Sequence, residues 1–281
     1  MADAAWANPV VARLAGGARD GEQSGLVLTV AWPMPPAVRD QYAAFAERLR
    51  RAMPAEAHIY PPESLHCTVC TMRASTAGVL DYDAGREIAY VWQRILDRAR
   101  AMSDWPSAPF SLTMCAPTLE GAAAIFHYVD DDDGVEQMRE CVRRAIEEAG
   151  GIAAVGASDR SLARAPDALP RTEPPPHIPD IIHSTAMRWA AEPSAPRAEV
   201  REAFDAVAAT WEPIALEVRC ARAVVESAPY MHIMPLDEAG GGDAHVFWRS
   251  ADVSLLRSAW NVWFFAVLAV LATFRRTMDI Y

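Results

Sequence analysis

From Gly25 to Trp32 the chain reads GLVLTVAW, an unbroken apolar stretch rich in Val and Leu and closed by Pro33. That pattern predicts a buried strand. Pro36 opens a helical pattern to about Met53, with Val38, Tyr42, Phe45 and Leu49 on one face and proline at the entry, where a missing N–H costs nothing. His58–Tyr60 and Ser64–Met72 (SLHCTVCTM) follow as strand candidates. A second helix is expected from about Ala84 to Met102, with Ile88, Val91, Ile95 and Leu96 inward. Phe110–Leu119 and Ala122–Val129 read as two strands joined by a turn at Glu120-Gly121, and a helix follows from about Val135 to Ala149.

Gly150–Val155 is a short strand candidate. The stretch 156–180 then carries six prolines and reads as a long irregular insertion. Beyond it come a strand at Ile181–Trp189 (IIHSTAMRW), a helix from about Pro196 to Trp211, and a strand pair at Ile214–Glu226 and Tyr230–Pro235. The second half thus repeats the order of the first. The fold class expected is α+β, as two pseudo-symmetric lobes, each an antiparallel sheet backed by helices, around a central cleft.

The two ends differ from this middle. Residues 1–24 are Ala- and Gly-rich, with charges at Asp3, Asp20 and Glu22, and read as a loosely ordered leader without a secretory signal. Gly240–Gly242 closes a domain expected over 25–242, and 243–257 is expected as a connector. Residues 258–274 (SAWNVWFFAVLAVLATF) carry no charge, with Trp260 and Trp263 near one end and Arg257 and Arg275/Arg276 flanking. Seventeen residues is at the short edge of a bilayer span, and the aromatic and basic flanks suit an interface. This segment is expected as a transmembrane helix, with 275–281 as a short tail and the domain over 25–242 held at a membrane on the cytosolic side. Without such anchoring the protein would be cytoplasmic.

Charge narrows the partners. The formal net charge is −11, and no basic run exceeds two residues. A protein gripping long nucleic acid shows a basic face, because phosphate contacts supply most of the affinity. No long nucleic-acid groove is expected, and a small substrate, or one short end of a polymer, fits better. The five cysteines follow no disulfide framework, so they read as reduced thiols. Cys67 and Cys70 form a C-x-x-C inside a strand, with no second pair to complete a zinc site. Asp130–Asp133 could line a metal site, but acidic residues at a helix start oppose its dipole without one. No metal and no cofactor is expected.

The candidate chemistry lies in two strands. His66 and Thr68 in the first, and His183 and Thr185 in the second, alternate onto one face of each strand. By the same alternation Cys70 and Met72 join His66, Met187 and Trp189 join His183, and Arg188 falls opposite. With seven histidines and 25 Ser and Thr in 281 residues, about 0.6 H-x-[ST] pairs arise by chance from composition. Two such pairs alone are unremarkable, and what raises them is that both lie inside strands, at matching places in repeated halves. Paired histidines can divide acid and base duties, with an optimum expected near neutral pH, and each hydroxyl can donate to a non-bridging phosphate oxygen. His58, His127 and His245 have no partner visible in the sequence. His177 reads as a solvated loop histidine, and His232 as a strand residue without a task. Tyr60 and Tyr230 read as packing residues.

At His66-Cys67-Thr68 and His183-Ser184-Thr185 the chain resembles the two-histidine (2H) phosphoesterase superfamily, the cyclic phosphodiesterase and RNA-ligase-like group. The likeness spans about Gly25 to Pro235, and IHSTAMR is especially similar to one variety of the second motif. The resemblance implies hydrolysis of 2′,3′-cyclic phosphates or 2′,5′-linked nucleotide and RNA ends. It makes His66 and His183 catalytic and Thr68 and Thr185 phosphate-binding. The alternatives are a nucleotide-binding protein of the same fold without turnover and a membrane-tethered adaptor. No nucleotide-binding glycine loop or serine-hydrolase elbow is present.

Overall fold

The computed structural model describes residues 6–8, 11–12, 25–74, 82–106, 109–150, 175–226 and 244–249. Among them lie nine strands and four helices: β1 (Gly25–Val30), α1 (Pro36–Ala52), β2 (Ala57–Ile59), β3 (Cys67–Arg73), α2 (Tyr82–Arg100), β4 (Phe110–Glu120), β5 (Ala123–Asp130), α3 (Gly134–Glu148), β6 (His183–Trp189), α4 (Arg197–Ala208), β7 (Ile214–Val218), β8 (Cys220–Glu226) and β9 (Ala244–Arg249). They form two antiparallel sheets, β3-β1-β8-β9 and β2-β6-β5-β4-β7. The class is α+β.

The sheets do not follow the halves of the sequence. β4 and β5, from the first half, join β6 in the second sheet, while β8 crosses back to lie beside β1 in the first. The expected single strand Ile214–Glu226 is broken at Arg219, where the chain leaves one sheet for the other. The connector expected over 243–257 contains β9, which pairs with β8. Its sequence, AHVFWR, is rich in the β-branched and aromatic residues that favour a pleated surface. Gly150–Val155 falls almost wholly outside the described residues, and Tyr230–Pro235, His232 and the apolar stretch 258–274 lie outside them. Among the described residues, no helix is long and apolar enough to cross a membrane.

One apolar core joins both sheets to the helices. Phe45 of α1 meets Phe126 of β5 and Trp211 edge-on, at 5.5 and 5.6 Å between ring centres. Such arrangements set the positive ring edge against the negative face. Within the stretch expected as a loose leader, Trp6 is buried 5.2 Å from Trp189, and the Asn8 N–H donates to the Trp189 carbonyl. The acidic run has the structural role expected of a helix start. Both Asp130 oxygens accept N–H bonds, from Gly134 at 3.0 Å and Val135 at 2.8 Å. Gly134 is needed there, because a Cβ would stand 2.3 Å from the Phe110 ring. This cap fixes α3, which carries Arg139 toward the site.

Candidate active site

Both H-x-T strands depart from simple alternation, and in the same way. Opposite β1, Thr68 pairs with Thr29 and Cys70 with Leu28, so Val69 is an extra residue. Opposite β5, Thr185 pairs with Ile125 and Met187 with Ala124, so Ala186 is extra. Each bulge falls one residue after the threonine and resets the side-chain alternation. His66, Thr68 and Thr71 are consequently half-exposed, while Cys70 and Met72 are buried. In β6, His183, Thr185 and Arg188 are half-exposed, and Met187 and Trp189 are buried. The sequence expectation that placed Cys70, Met72, Met187 and Trp189 with the histidines, and Arg188 opposite, is corrected by these bulges. Arg188 shares the open face, and its charge bears on His183.

The residues between histidine and threonine stitch the strands together. Ser184 Oγ donates to the His66 carbonyl and itself receives a bond from the Tyr128 hydroxyl at 2.9 Å. The sulfur of Cys67 meets the backbone of His183. Arg139, fully buried, donates through Nη2 to the carbonyls of Thr68 and Ile181, each at 2.9 Å, and through Nη1 to Glu136 at 2.5 Å. One guanidinium thus spans both strands. Arginine suits this place because its planar fork stays charged and holds several acceptors at fixed angles.

The imidazoles are held alike. His66 Nδ1 lies 2.7 Å from the Ser64 carbonyl, and His183 Nδ1 lies 3.4 Å from the Ile181 carbonyl, each two residues upstream. A carbonyl only accepts, so Nδ1 carries the hydrogen and Nε2 is left for chemistry. Burial lowers the His66 pKa to about 4, against the Ser64 bond, which raises it, with the His183 charge lowering it further. His183 is also lowered, chiefly by burial, against its bond to the Ile181 carbonyl and with Arg188, His127 and Arg139 adding. His66 is therefore neutral around pH 7.

Sequence reasoning missed His127. It stands directly across from His183 in the ladder, and its Nε2 lies 2.6 Å from Glu120 Oε1. Glu120 and His127 are seven residues apart on either side of a turn, a spacing that becomes a contact once β4 and β5 pair. His58, opposite Arg188, packs edge-on to Tyr60 at 5.0 Å. Tyr60 is buried, as its packing role requires, while Tyr230 lies outside the described residues. His177 exchanges two backbone bonds with Thr71 and has an exposed side chain. The side chain of His245 is not among those described. Cys67 and Cys70 are free thiols, and burial pushes each up to about 12. At that value neither is an effective thiolate nucleophile near neutrality.

No protein-family model matches this chain, and no curated protein matches it. Three solved structures are similar in arrangement. TT0787 of Thermus thermophilus is 16% identical, with 79% of this chain and 94% of that one covered and a TM-score of 0.40. ATU0111 of Agrobacterium tumefaciens, a conserved protein of unknown function, is 14% identical, with 76% and 86% covered and a TM-score of 0.41. Usb1 of Kluyveromyces marxianus is 10% identical, with 74% and 96% covered and a TM-score of 0.38. In this chain the two H-x-T strands are bulged at the same place and tied to each other by Ser184, Cys67 and Arg139, and the resemblance to the two-histidine phosphoesterases rests on those two motifs.

Proposed function

We propose that this protein is a phosphodiesterase that opens 2′,3′-cyclic phosphates or cleaves 2′,5′-linked nucleotide or RNA ends, without need of a metal. The observation that carries the reading is the matched pair of imidazoles. Each has its Nδ1 committed to a carbonyl of its own chain and a threonine two residues on along the same open face. A neutral His66 takes a proton from the attacking water, and a protonated His183 gives one to the departing ribose oxygen. Thr68 and Thr185 donate to the non-bridging oxygens as charge redistributes, and Arg188 adds a positive charge beside them. The acid–base assignment follows the environments: the more deeply lowered histidine is the one available as base. The apolar run at 258–274 supports a second proposal, that the chain is tethered to a membrane with the site outside the bilayer.

Purified protein assayed with a panel of 2′,3′-cyclic and 2′,5′-linked nucleotides, with excess chelator present, tests the reading. Release of a single phosphomonoester isomer from a cyclic substrate is the expected result. Absence of turnover on every member, from protein shown to be folded, overturns it.

A further inference from the structure

We propose that His127 and Glu120 are positioning residues that govern the proton on His183, making the histidine of the second sheet the acid of the reaction. The inference rests on the phosphodiesterase reading and goes beyond the two H-x-T motifs. His127 and His183 are direct partners in the β5–β6 ladder, so their side chains leave the same face with Cβ atoms about 5 Å apart. His127 does not hang free at that spot. Its Nε2 is held by Glu120 Oε1 at 2.6 Å, and the same oxygen accepts from Thr118 Oγ1 at 3.0 Å. A short bond from a ring nitrogen to a carboxylate that is itself anchored fixes the ring's rotation. Glu120 thereby becomes the orienting third member of a carboxylate–imidazole–imidazole row ending at His183.

The charges around His183 show what such a row can do. Arg188 lies on its own strand, His127 on β5, Arg139 comes from α3, and the charge of His183 is felt by His66, just before β3, with the Cys67 sulfur at the His183 backbone. His58 stands opposite Arg188 on β2. The cationic members of this group oppose a second proton on His183. Glu120, at the end of β4, brings a negative charge within reach of His183. Its carboxyl is held below the usual range, first by the bond from His127, which outweighs the cost of burial, with the Thr118 bond and the charges of His127 and His183 adding smaller contributions. A fixed carboxylate near an imidazole favours the imidazolium, while a charge on His127 works against it. Half of the Glu120 side chain is exposed, so the effect is moderated by water. At the effective dielectric of such sites a charge at this range moves a titration by about half a pH unit.

Two variants separate the contributions. Glu120→Gln keeps the shape and removes the negative charge. His127→Gln keeps an N–H at the Nε2 position for Glu120 and removes the ionisable ring. The measurement is the titration midpoint of the His183 ring in the folded full chain by NMR, with the resonance assigned by its loss in His183→Gln. Glu120→Gln is expected to lower the midpoint by about half a pH unit, and His127→Gln to raise it. Both shifts should shrink in 1 M salt, which screens charges beyond about 3 Å. Movement of both midpoints the same way, or of neither, overturns the proposal, because a pair that only braces the hairpin would leave His183 where it is. Where a cyclic substrate is turned over, the alkaline limb of kcat/KM follows the same shifts. Absence of turnover strikes the phosphodiesterase reading alone, and the NMR midpoints still decide the role of the pair.

Discussion

Replacing Arg139 by Met probes the link between the two H-x-T strands. The guanidinium is fully buried and donates to the carbonyls of Thr68 and Ile181, and the Ile181 carbonyl also holds His183 Nδ1. Hydrogen bonds from a charged donor contribute about 1.5–3 kcal/mol each, and a buried acceptor left bare costs on the order of 1–3 kcal/mol. Against that, removing a buried charge relieves its desolvation, a term of several kcal/mol, and Met fills most of the volume. Glu136 is half-exposed and can turn to water. The balance gives a loss of about 2–4 kcal/mol in chemical denaturation, with an unchanged m-value if only the native state is affected. In protein still folded, kcat should fall more than KM rises, because the strands that align the two imidazoles are no longer tied. Arg139→Lys should recover little, since one ammonium lacks the planar fork that spans both carbonyls. A Met variant as stable as the parent within about 0.5 kcal/mol, with unchanged kcat, would refute the clamp.

On a confirmed substrate, His66→Ala and His183→Ala should each cost on the order of 10²–10⁴ in kcat, and Thr68→Ala and Thr185→Ala less. Near-parental turnover in either histidine variant removes the site assignment. The pH profile of kcat/KM should be bell-shaped and centred on the acid side of neutrality. It should rise through about 4 as His66 loses its proton, and fall as His183 loses its own below the ordinary histidine value. Burial moves both limbs below the neutral optimum that unperturbed histidines would give, and a stopped assay from about pH 3 to about pH 9 with chelator present checks it. Deleting residues from Arg257 onward should leave a folded, active protein, while the full chain should sediment with membranes and resist high-salt extraction. A full chain that stays in the supernatant without detergent sinks the tether.

The helices were legible because their apolar residues recur at helical spacing, and α1, α2, α3 and α4 lie within a few residues of their expected ends. Both H-x-T strands were legible as short strand-type runs bounded by proline-rich or polar stretches. What the sequence could not carry was anything set by register. A bulge is invisible to period-two counting, so Arg188 went to the wrong face and Cys70 and Met187 were drawn toward the site. The Glu120–His127 contact exists only once β4 and β5 are paired, and Arg139 reads as one more charged residue on an amphipathic helix until its carbonyl partners arrive from two other elements. The break at Arg219 leaves no Gly or Pro behind to mark it.

The crossing at Arg219 also dictates a calendar. β1 has one neighbour, β3, from its own half and another, β8, from residues 220–226. During synthesis the sheet that holds His66 is therefore a two-stranded ribbon until the ribosome has passed Glu226 and released the last of β8, and an isolated pair of strands is marginally stable in water. The second sheet can gather β2, β6, β5, β4 and β7 earlier, since all of them precede Arg219. The two halves of the site thus mature at different times. A nascent chain stalled just short of β8 would present one finished imidazole and one still waiting for its sheet.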